Sequence, residues 1–427
     1  MFAFIRGYYC RPNSIPITWL LLLVWSASAV DAASLGLPAA ETMALERDAR
    51  LAGLAERRQA LQEDAVAAAQ LPDPQLRLGA LNLPTDSFAV DQEPMTQIQL
   101  GLRQQFPRGH TRSLSRGRAE TLAAAEGARA DARRREVVRA LRQAWTGRAQ
   151  AAESLEILRD QQLWFAQLEE AATAAYAAGR RQQHDLLRIA MERDLLDEEA
   201  IRLKQMALEE DAELGRWLGT EANGIDISRL PVLPMPPDPA SAIESLARHP
   251  LILAELHTVE AGGIGVELAR QSYRPAFAVD VAYGFRDGED NDGDSRPDFF
   301  SAMLSFELPL FPGQRQDRQV ASANARELEL RSALKDRQRE LRRQYDAALS
   351  DWQSLDQRIG LFERRVMPAA NATVEATRQA YRNDVAPFDE LVRAEKTLLD
   401  ARTRLLRLRA ERLLAQTQLL YLTGENP

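Results

Sequence analysis

Hydrophobic and polar residues follow two rhythms along this chain, and each rhythm occurs twice. The first has a period of two. Ile98, Leu100 and Leu102 point one way while Gln97, Gln99, Gly101 and Arg103 point the other, as expected of a strand with one apolar face. The preceding segment, Leu76 to Leu83, alternates less cleanly. In the second half Phe277, Val279, Val281, Tyr283 and Phe285 oppose Ala278, Asp280, Ala282 and Gly284. Its partner sets Phe300, Ala302, Leu304, Phe306 and Leu308 against Ser301, Met303, Ser305 and Glu307. Strands of about ten residues suit either hairpins over a small soluble core or a transmembrane barrel, whose strands run to about 9 to 11 residues. Alternation alone leaves both open. Four strands cannot close a barrel, and unpaired edges are forbidden in hydrocarbon, so strands that cross a membrane would need several copies of the chain to share one barrel.

The second rhythm is helical. Pro38 to Gln70 carries it up to Leu71-Pro72-Asp73-Pro74. It resumes from about Gly109 to Ala178 and from about Gln314 to Arg382, where the only internal breaker is Pro368. Each stretch is about 70 residues, or roughly 105 Å as a helix, longer than any compact domain. Short breaks, Ala178-Gly179-Arg180 and Asn383-Asp384-Val385-Ala386-Pro387, lead into second helices of about 36 residues. In the second half Leu391, Ala394, Leu398, Ala401, Leu405, Leu408, Arg412, Ala415, Leu419 and Leu422 recur at alternating steps of three and four. The first half has Leu186, Ile189, Arg193, Leu196, Ala200, Leu203, Ala207, Glu210, Leu214 and Trp217 at the corresponding positions. One heptad seam kept in both copies predicts a coiled-coil helix in each half.

The two halves keep a fixed offset of 205 residues. Phe106-Pro107 recurs as Phe311-Pro312, Ala175-Tyr176 as Ala380-Tyr381 and Gly219 as Gly424. A repeat this long predicts two equivalent structural halves and not a short-period solenoid. Residues 30–219 form the first repeat, 220–239 a linker carrying Pro231, Pro234, Pro236, Pro237 and Pro239, and 240–427 the second repeat. The linker should run extended.

The amino terminus sets the compartment. Arg6 and Arg11, the apolar run Ile17 to Val24 and the small residues Ala27-Ser28-Ala29 read as a secretory signal peptide over residues 1–29. Its removal takes two arginines from a net charge of −8 and also takes Cys10, the only cysteine. Stability must then come from packing or assembly, not from disulfides. The acidic balance excludes a generally basic nucleic-acid binder. The clusters Arg133-Arg134-Arg135 and Arg342-Arg343, interleaved with carboxylates, read as solvated helix faces.

Strand, strand, long helix, tight turn and coiled-coil helix, duplicated behind a signal peptide, resemble the TolC-like outer-membrane efflux protein family. The most specific marks are the two Ala-Tyr segments, each followed 43 residues after the tyrosine by Gly219 or Gly424. The strand exits Gln105-Phe106-Pro107-Arg108-Gly109 and Leu308-Pro309-Leu310-Phe311-Pro312-Gly313 add to them. The stretch from Arg274-Pro275 through Gln319 looks most like the heavy-metal and cation efflux subgroup. The resemblance implies a mainly α protein with a membrane β-barrel part: a homotrimer whose twelve-stranded outer-membrane barrel continues into a long periplasmic α-helical barrel. It implies an exit duct in outer-membrane lipid, without chemistry of its own, served by a periplasmic adaptor and a proton-driven inner-membrane pump. It places the adaptor-contact tips at Tyr176, Gly179, Arg180, Tyr381, Asn383 and Asp384. The entrance falls at Asp185, Asp389 and Glu390, with Arg188 and Arg393 one turn further on, where i,i+3 pairing would offset the carboxylates. Asp280 and Glu307 would face the lumen. An acylated amino-terminal cysteine, common among relatives, has no counterpart after the signal peptide.

No enzyme or cofactor signature stands out. His110, His184, His249 and His257 form no ligand motif, and no nucleophile elbow or phosphate loop is present. Asp287-Gly288-Glu289-Asp290-Asn291-Asp292-Gly293-Asp294 lacks the distal glutamate of a helix-loop-helix calcium site and reads as a solvated loop, weak divalent-cation binding being the alternative. A type I secretion duct and a soluble periplasmic coiled-coil scaffold are the rival functions; a helical metalloenzyme lacks its inward Glu-x-x-His pairs.

Overall fold

The structure, a computed structural model, describes residues 36–179, 182–383 and 385–424. The signal peptide with Cys10, and the tip residues Arg180 and Asp384, lie outside the described residues. Two short helices, α1 (Leu37–Arg47) and α2 (Ala49–Ala68), precede strands β1 (Gln75–Leu81) and β2 (Gln97–Phe106). The long helix α3 (Thr111–Ala177) and the return helix α4 (Gln183–Leu218) complete the first half. The second half repeats the order: α5 (Pro239–Ala247), α6 (Pro250–Arg270), β3 (Ala276–Phe285), β4 (Phe299–Glu307), α7 (Gln316–Leu361), α8 (Met367–Arg382) and α9 (Phe388–Thr423).

The sequence predicts one helix over Pro38 to Gln70, and the structure divides it. Asp48 adopts extended backbone (ψ 106°), and its carboxylate accepts the Leu51 N–H at 2.8 Å. That cap satisfies a donor at the start of α2, so one polar side chain ends one helix and starts the next.

Pro368 does not end the second long helix. Residues Phe362–Val366 form a π-turn, in which the Met367 N–H donates to the Phe362 carbonyl, and α8 resumes with Pro368 in its first turn, where its missing N–H costs least. The helical path from Gln316 to Arg382 therefore spans as far along the chain as α3, which has 67 residues and is about 100 Å long.

The predicted seams are the cores. Ile189, Leu196, Ala200, Leu203, Ala207, Leu214 and Trp217 of α4 are buried, as are Leu391, Ala394, Leu398, Ala401, Leu405, Leu408, Leu419 and Leu422 of α9. Helix α4 packs along α3, while α9 lies against α3 on one side and α7 and α8 on the other. Where α1 meets α3 and α4, Val137, Leu141 and Trp145 pack with Ala40, Ala44, Leu214, Trp217 and Leu218.

One expectation is corrected here. Arg133 is not on a solvated face: its guanidinium is buried and bonds Asp48 at 2.8 Å and Glu136 at 2.9 Å, fixing the α1–α2 joint to α3. Arg135 is also partly covered, while Arg134 is exposed and pairs with Asp131. Arg342 and Arg343 keep the predicted solvated state, each paired along its own helix.

Candidate functional site

The four strands form one antiparallel sheet in the order β1-β2-β3-β4, so the central pair joins the two halves and both outer edges belong to one chain. The register aligns side chains into rows across the sheet. Leu76, Leu102, Val281 and Ala302 form one row; Leu78, Leu100, Tyr283 and Phe300 form another. Phe106, Phe277 and Phe306 form a third, in which the first two rings stack at 4.7 Å between centroids and the last two lie 6.4 Å apart. This face is uncovered: Leu78 is 76% exposed, Phe300 72% and Phe306 58%. The apolar surface continues through Leu308, Leu310 and Phe311 beyond β4.

The opposite face carries Arg77, Gly101, Ala282 and Ser301 in one row and Gln75, Arg103, Asp280 and Met303 in the next. Small residues there make room for long polar ones. A side chain at Gly284 would collide with the Gln97 amide that lies over it. The small residues of the central strands, Gly101, Ala278 and Gly284, are buried beneath longer polar neighbours, while the aromatic and aliphatic side chains stand outward, the reverse of a water-soluble sheet. The uneven alternation of β1 resolves in register: Leu76, Leu78 and Ala80 share the apolar side, Arg77 and Gly79 the polar side.

Asp280 and Glu307 both lie on the polar face, and each has basic company. Arg77 approaches Asp280 at 3.1 Å and Arg103 at 3.8 Å, while Arg108 bonds Glu307 at 2.5 Å. Their charge is largely offset within the chain. The sequence contains these arginines at alternating positions but does not show which carboxylate each one reaches.

At the far end of the helices the two turns differ. In the first, Gly179 takes the left-handed conformation (φ +70°), favoured for glycine, and its N–H donates to the Tyr176 carbonyl at 2.9 Å. In the second, the Ala380 carbonyl accepts the N–H groups of Val385 at 2.8 Å and Ala386 at 3.2 Å. Tyr381 is partly buried and lies 6.1 Å from the ring of Phe388, in a cluster with Ile189 and Val392, whereas Tyr176 is 44% exposed. Asn383 sits at the carboxyl end of α8 and is exposed.

The acidic tip residues are all in first turns. Asp185 opens α4, and Asp389 and Glu390 open α9. There the positive end of the helix dipole favours carboxylates. His184 Nε2 lies 3.3 Å from Asp185. Arg393 reaches Asp389 at 3.4 Å over four residues, and not Glu390 over three. Glu390 is exposed and has no ion pair among the described residues, and Arg188 is also exposed.

Two ion pairs just behind the tips have no signal in the heptad pattern. Lys396 of α9 bonds Glu192 of α4 at 2.8 Å, and Arg378 of α8 bonds the buried Glu395 at 2.6 Å. Each is unmatched by a charge pair 205 residues away, so the duplication does not point to them.

The family model described as outer membrane efflux protein matches residues 243–425. That match spans the second repeat. Solved structures extend the likeness in fold to both halves. A membrane protein from Pseudomonas aeruginosa is 19% identical with a TM-score of 0.76, over 91% of this chain and 93% of that one. The outer membrane protein VceC from Vibrio cholerae is 18% identical at 0.76, over 91% and 96%. The open state of the Neisseria gonorrhoeae MtrE outer membrane channel is 15% identical at 0.72, over 91% and 88%. No curated protein sequence matches. The TolC-like resemblance read from the Ala-Tyr segments and strand exits agrees with that partial match and with the fold shared with these outer-membrane channels. Among the described residues, no helix is long and apolar enough to cross a membrane.

Proposed function

We propose that this chain is the outer-membrane exit duct of a tripartite efflux pump, passing solutes, metal cations among them, from periplasm to exterior. The observation that carries the reading is the inverted sheet. An aromatic and aliphatic face spanning all four strands lies uncovered, polar and small residues line the other face, and β1 and β4 each leave an edge unpaired. Hydrocarbon suits that face and forbids those edges, so copies of the chain must pair β1 to β4 around a closed ring. Three copies give twelve strands, a usual size for an outer-membrane barrel.

The helices then continue the duct for about 100 Å into the periplasm. Their tips form the entrance, with Glu390 and Asp389 of α9 and Asp185 of α4 in each copy supplying a ring of carboxylates. Such a ring attracts cations and resists tight closure by mutual repulsion. The offset of Asp280 by Arg77 and Arg103 leaves charge selection to the entrance more than to the barrel. Tyr176, Gly179 and Asn383 present the surface that an adaptor would meet, and the sequence assigns Arg180 and Asp384, outside the described residues, to the same contact. The duct does no chemistry. An inner-membrane pump, proton-driven on this reading, supplies the energy, and the adaptor shifts the tips toward an open state only by the margin with which it binds that state better.

Membrane fractionation followed by electrophoresis of unheated and heated samples tests the reading. A duct gives an outer-membrane species that migrates as a trimer until boiled. A protein found wholly in the soluble periplasmic fraction would contradict it.

A further inference from the structure

Helix α4 carries a second apolar line that its own chain leaves bare. Its buried seam runs along α3, and on the opposite side Leu187, Met191, Leu195, Ile201 and Leu208 are between 51% and 69% exposed. Their spacing puts them on one side of the helix. Apolar residues scattered singly are ordinary on a surface, whereas a continuous line of them marks a contact.

The duplication indicates what covers it. The counterparts of Leu187, Ile201 and Leu208, 205 residues further on, are Val392, Leu406 and Leu413 of α9, and all three are buried. Val392 lies in one cluster with Leu158 and Phe165 of α3. Helix α9 thus has one side on the helices of its own repeat, α7 and α8, and the other on the long helix of the other repeat, α3. Helix α4 has the first of these supports, α3, and lacks the second. By the same rule its bare side calls for the helical path of the second repeat, yet within the chain α3 and α9 stand between α4 and that path.

Contacts through α9 fix which levels correspond. Lys396 joins Glu192 of α4, and the adjacent Glu395 joins Arg378 of α8. Further from the tips Leu203 of α4 shares a groove with Leu408, and Arg409 beside it bonds Glu363. The stretch 192–203 of α4 therefore stands level with 378–363. On α8 Ala370 and Val374 are buried toward α9, while Pro368, Ala372, Ala376 and Gln379 on the far side are exposed. These are mostly small residues, opposite large ones on α4. Arg364 and Arg365, also exposed, fall between the levels of the exposed Glu198 and Glu209.

We propose that the bare side of α4 seats α8 of a second copy of this chain, with the apolar line against Pro368, Ala372 and Ala376 and with Arg365 near Glu198. Large side chains meet small ones, and opposite charges flank the contact. Unlike faces are joined, so the contact is head-to-tail and is satisfied throughout only in a closed ring. Strands and helices then agree, since in each layer the first repeat supplies one outer member, β1 or α4, and the second repeat the other, β4 or the α7–α8 path. The inference rests on the duct reading for the ring, and adds that the helices hold neighbouring copies together outside the membrane.

Oxidation with copper phenanthroline of outer membranes carrying Leu195→Cys with Ala372→Cys, in a Cys10→Ser background, tests the contact. The expected result is covalent dimers and trimers on non-reducing denaturing gels, with each single variant remaining monomeric and the two single variants giving covalent dimers when coexpressed. A chain that runs as a trimer before boiling, yet stays monomeric after oxidation and boiling, overturns this inference and leaves the duct reading in place. A chain that forms no trimer and stays in the soluble fraction overturns both. Ile201→Glu gives a readout free of disulfide geometry: the variant trimer should dissociate at a temperature at which the wild type persists. Equal heat resistance would also overturn the inference, and would leave the apolar line of α4 to a separate periplasmic protein.

Discussion

Lys396, two turns into α9, bonds at 2.8 Å to Glu192 of α4, whose side chain is only 10% exposed. This pair ties the return helix of the first half to that of the second just behind the helix tips. Any opening that separates the two helix pairs at their tips must stretch or break it.

Replacing Lys396 with Met leaves the Glu192 carboxylate buried without its cation. Loss of one partner of a fully buried pair costs about 3 to 5 kcal/mol. Lys396 is nearly half exposed, which lowers the expectation to about 1 to 2 kcal/mol. The expected outcome is a raised basal conductance in planar bilayers with the assembly intact. An unchanged conductance would remove this pair from the closing contacts.

Both partners of Arg133 and Asp48 are buried, so the larger cost belongs here. Arg133→Met should lower chemical stability by about 3 kcal/mol, through the unpaired Asp48 carboxylate. Asp48→Asn should cost less, since an amide oxygen can still accept the Leu51 N–H that starts α2. Denaturant titration followed by circular dichroism distinguishes the two. Equal losses would mean that the lost pairing itself, and not a carboxylate left buried without its cation, sets the cost.

His249 caps α6 by accepting the Leu251 N–H at Nδ1, and it is fully buried. Burial, together with the charges of Arg135 and Arg337, pulls its pKa from 6.5 to about 4. The unfolded chain therefore takes up this proton first. The stability from a neutral His249 is complete above pH 6.5 and is lost as pH falls toward 4, a change of about 3 kcal/mol at 1.36 kcal/mol per unit. His249→Asn, which keeps an acceptor at the cap, should flatten stability between pH 6.5 and 4. A slope identical to the wild type would assign the acid sensitivity elsewhere.

Opposite faces of the sheet should tolerate charge differently. Val281→Lys places an ammonium on the uncovered apolar face, at a cost of about 2 to 4 kcal/mol if that position meets the middle of the bilayer. Ser301→Lys, on the polar face, should assemble normally. Yields of heat-modifiable trimer from outer membranes read the contrast, and equal yields would mean that the apolar face does not meet lipid.

Most of this architecture is legible in the sequence because it is periodic and written twice. The seam from Leu391 to Leu422 repeats over five heptads, and the rows through Val281 and Tyr283 follow from strict alternation. What depends on a single residue or on depth is not legible. Asp48 breaks a helix by turning its side chain onto the backbone, which composition does not show. Arg133 reads as solvated, because charge in a helix usually is, yet Asp48 makes its burial tolerable. The tip tyrosines share a motif but diverge because Phe388 covers Tyr381, while the corresponding position in the first half is Gln183. The pairing at the tip of α9 likewise depends on rotamers: Arg393 reaches Asp389 and not Glu390.

Single-channel recording of the purified protein in planar bilayers, comparing wild type with Asp185→Ala combined with Glu390→Ala, separates a membrane duct from a soluble scaffold. The duct predicts discrete conductance steps in both proteins, with cation selectivity reduced in the double variant. Failure of the wild type to produce any steps, under conditions in which the trimer is present and inserted, would contradict it.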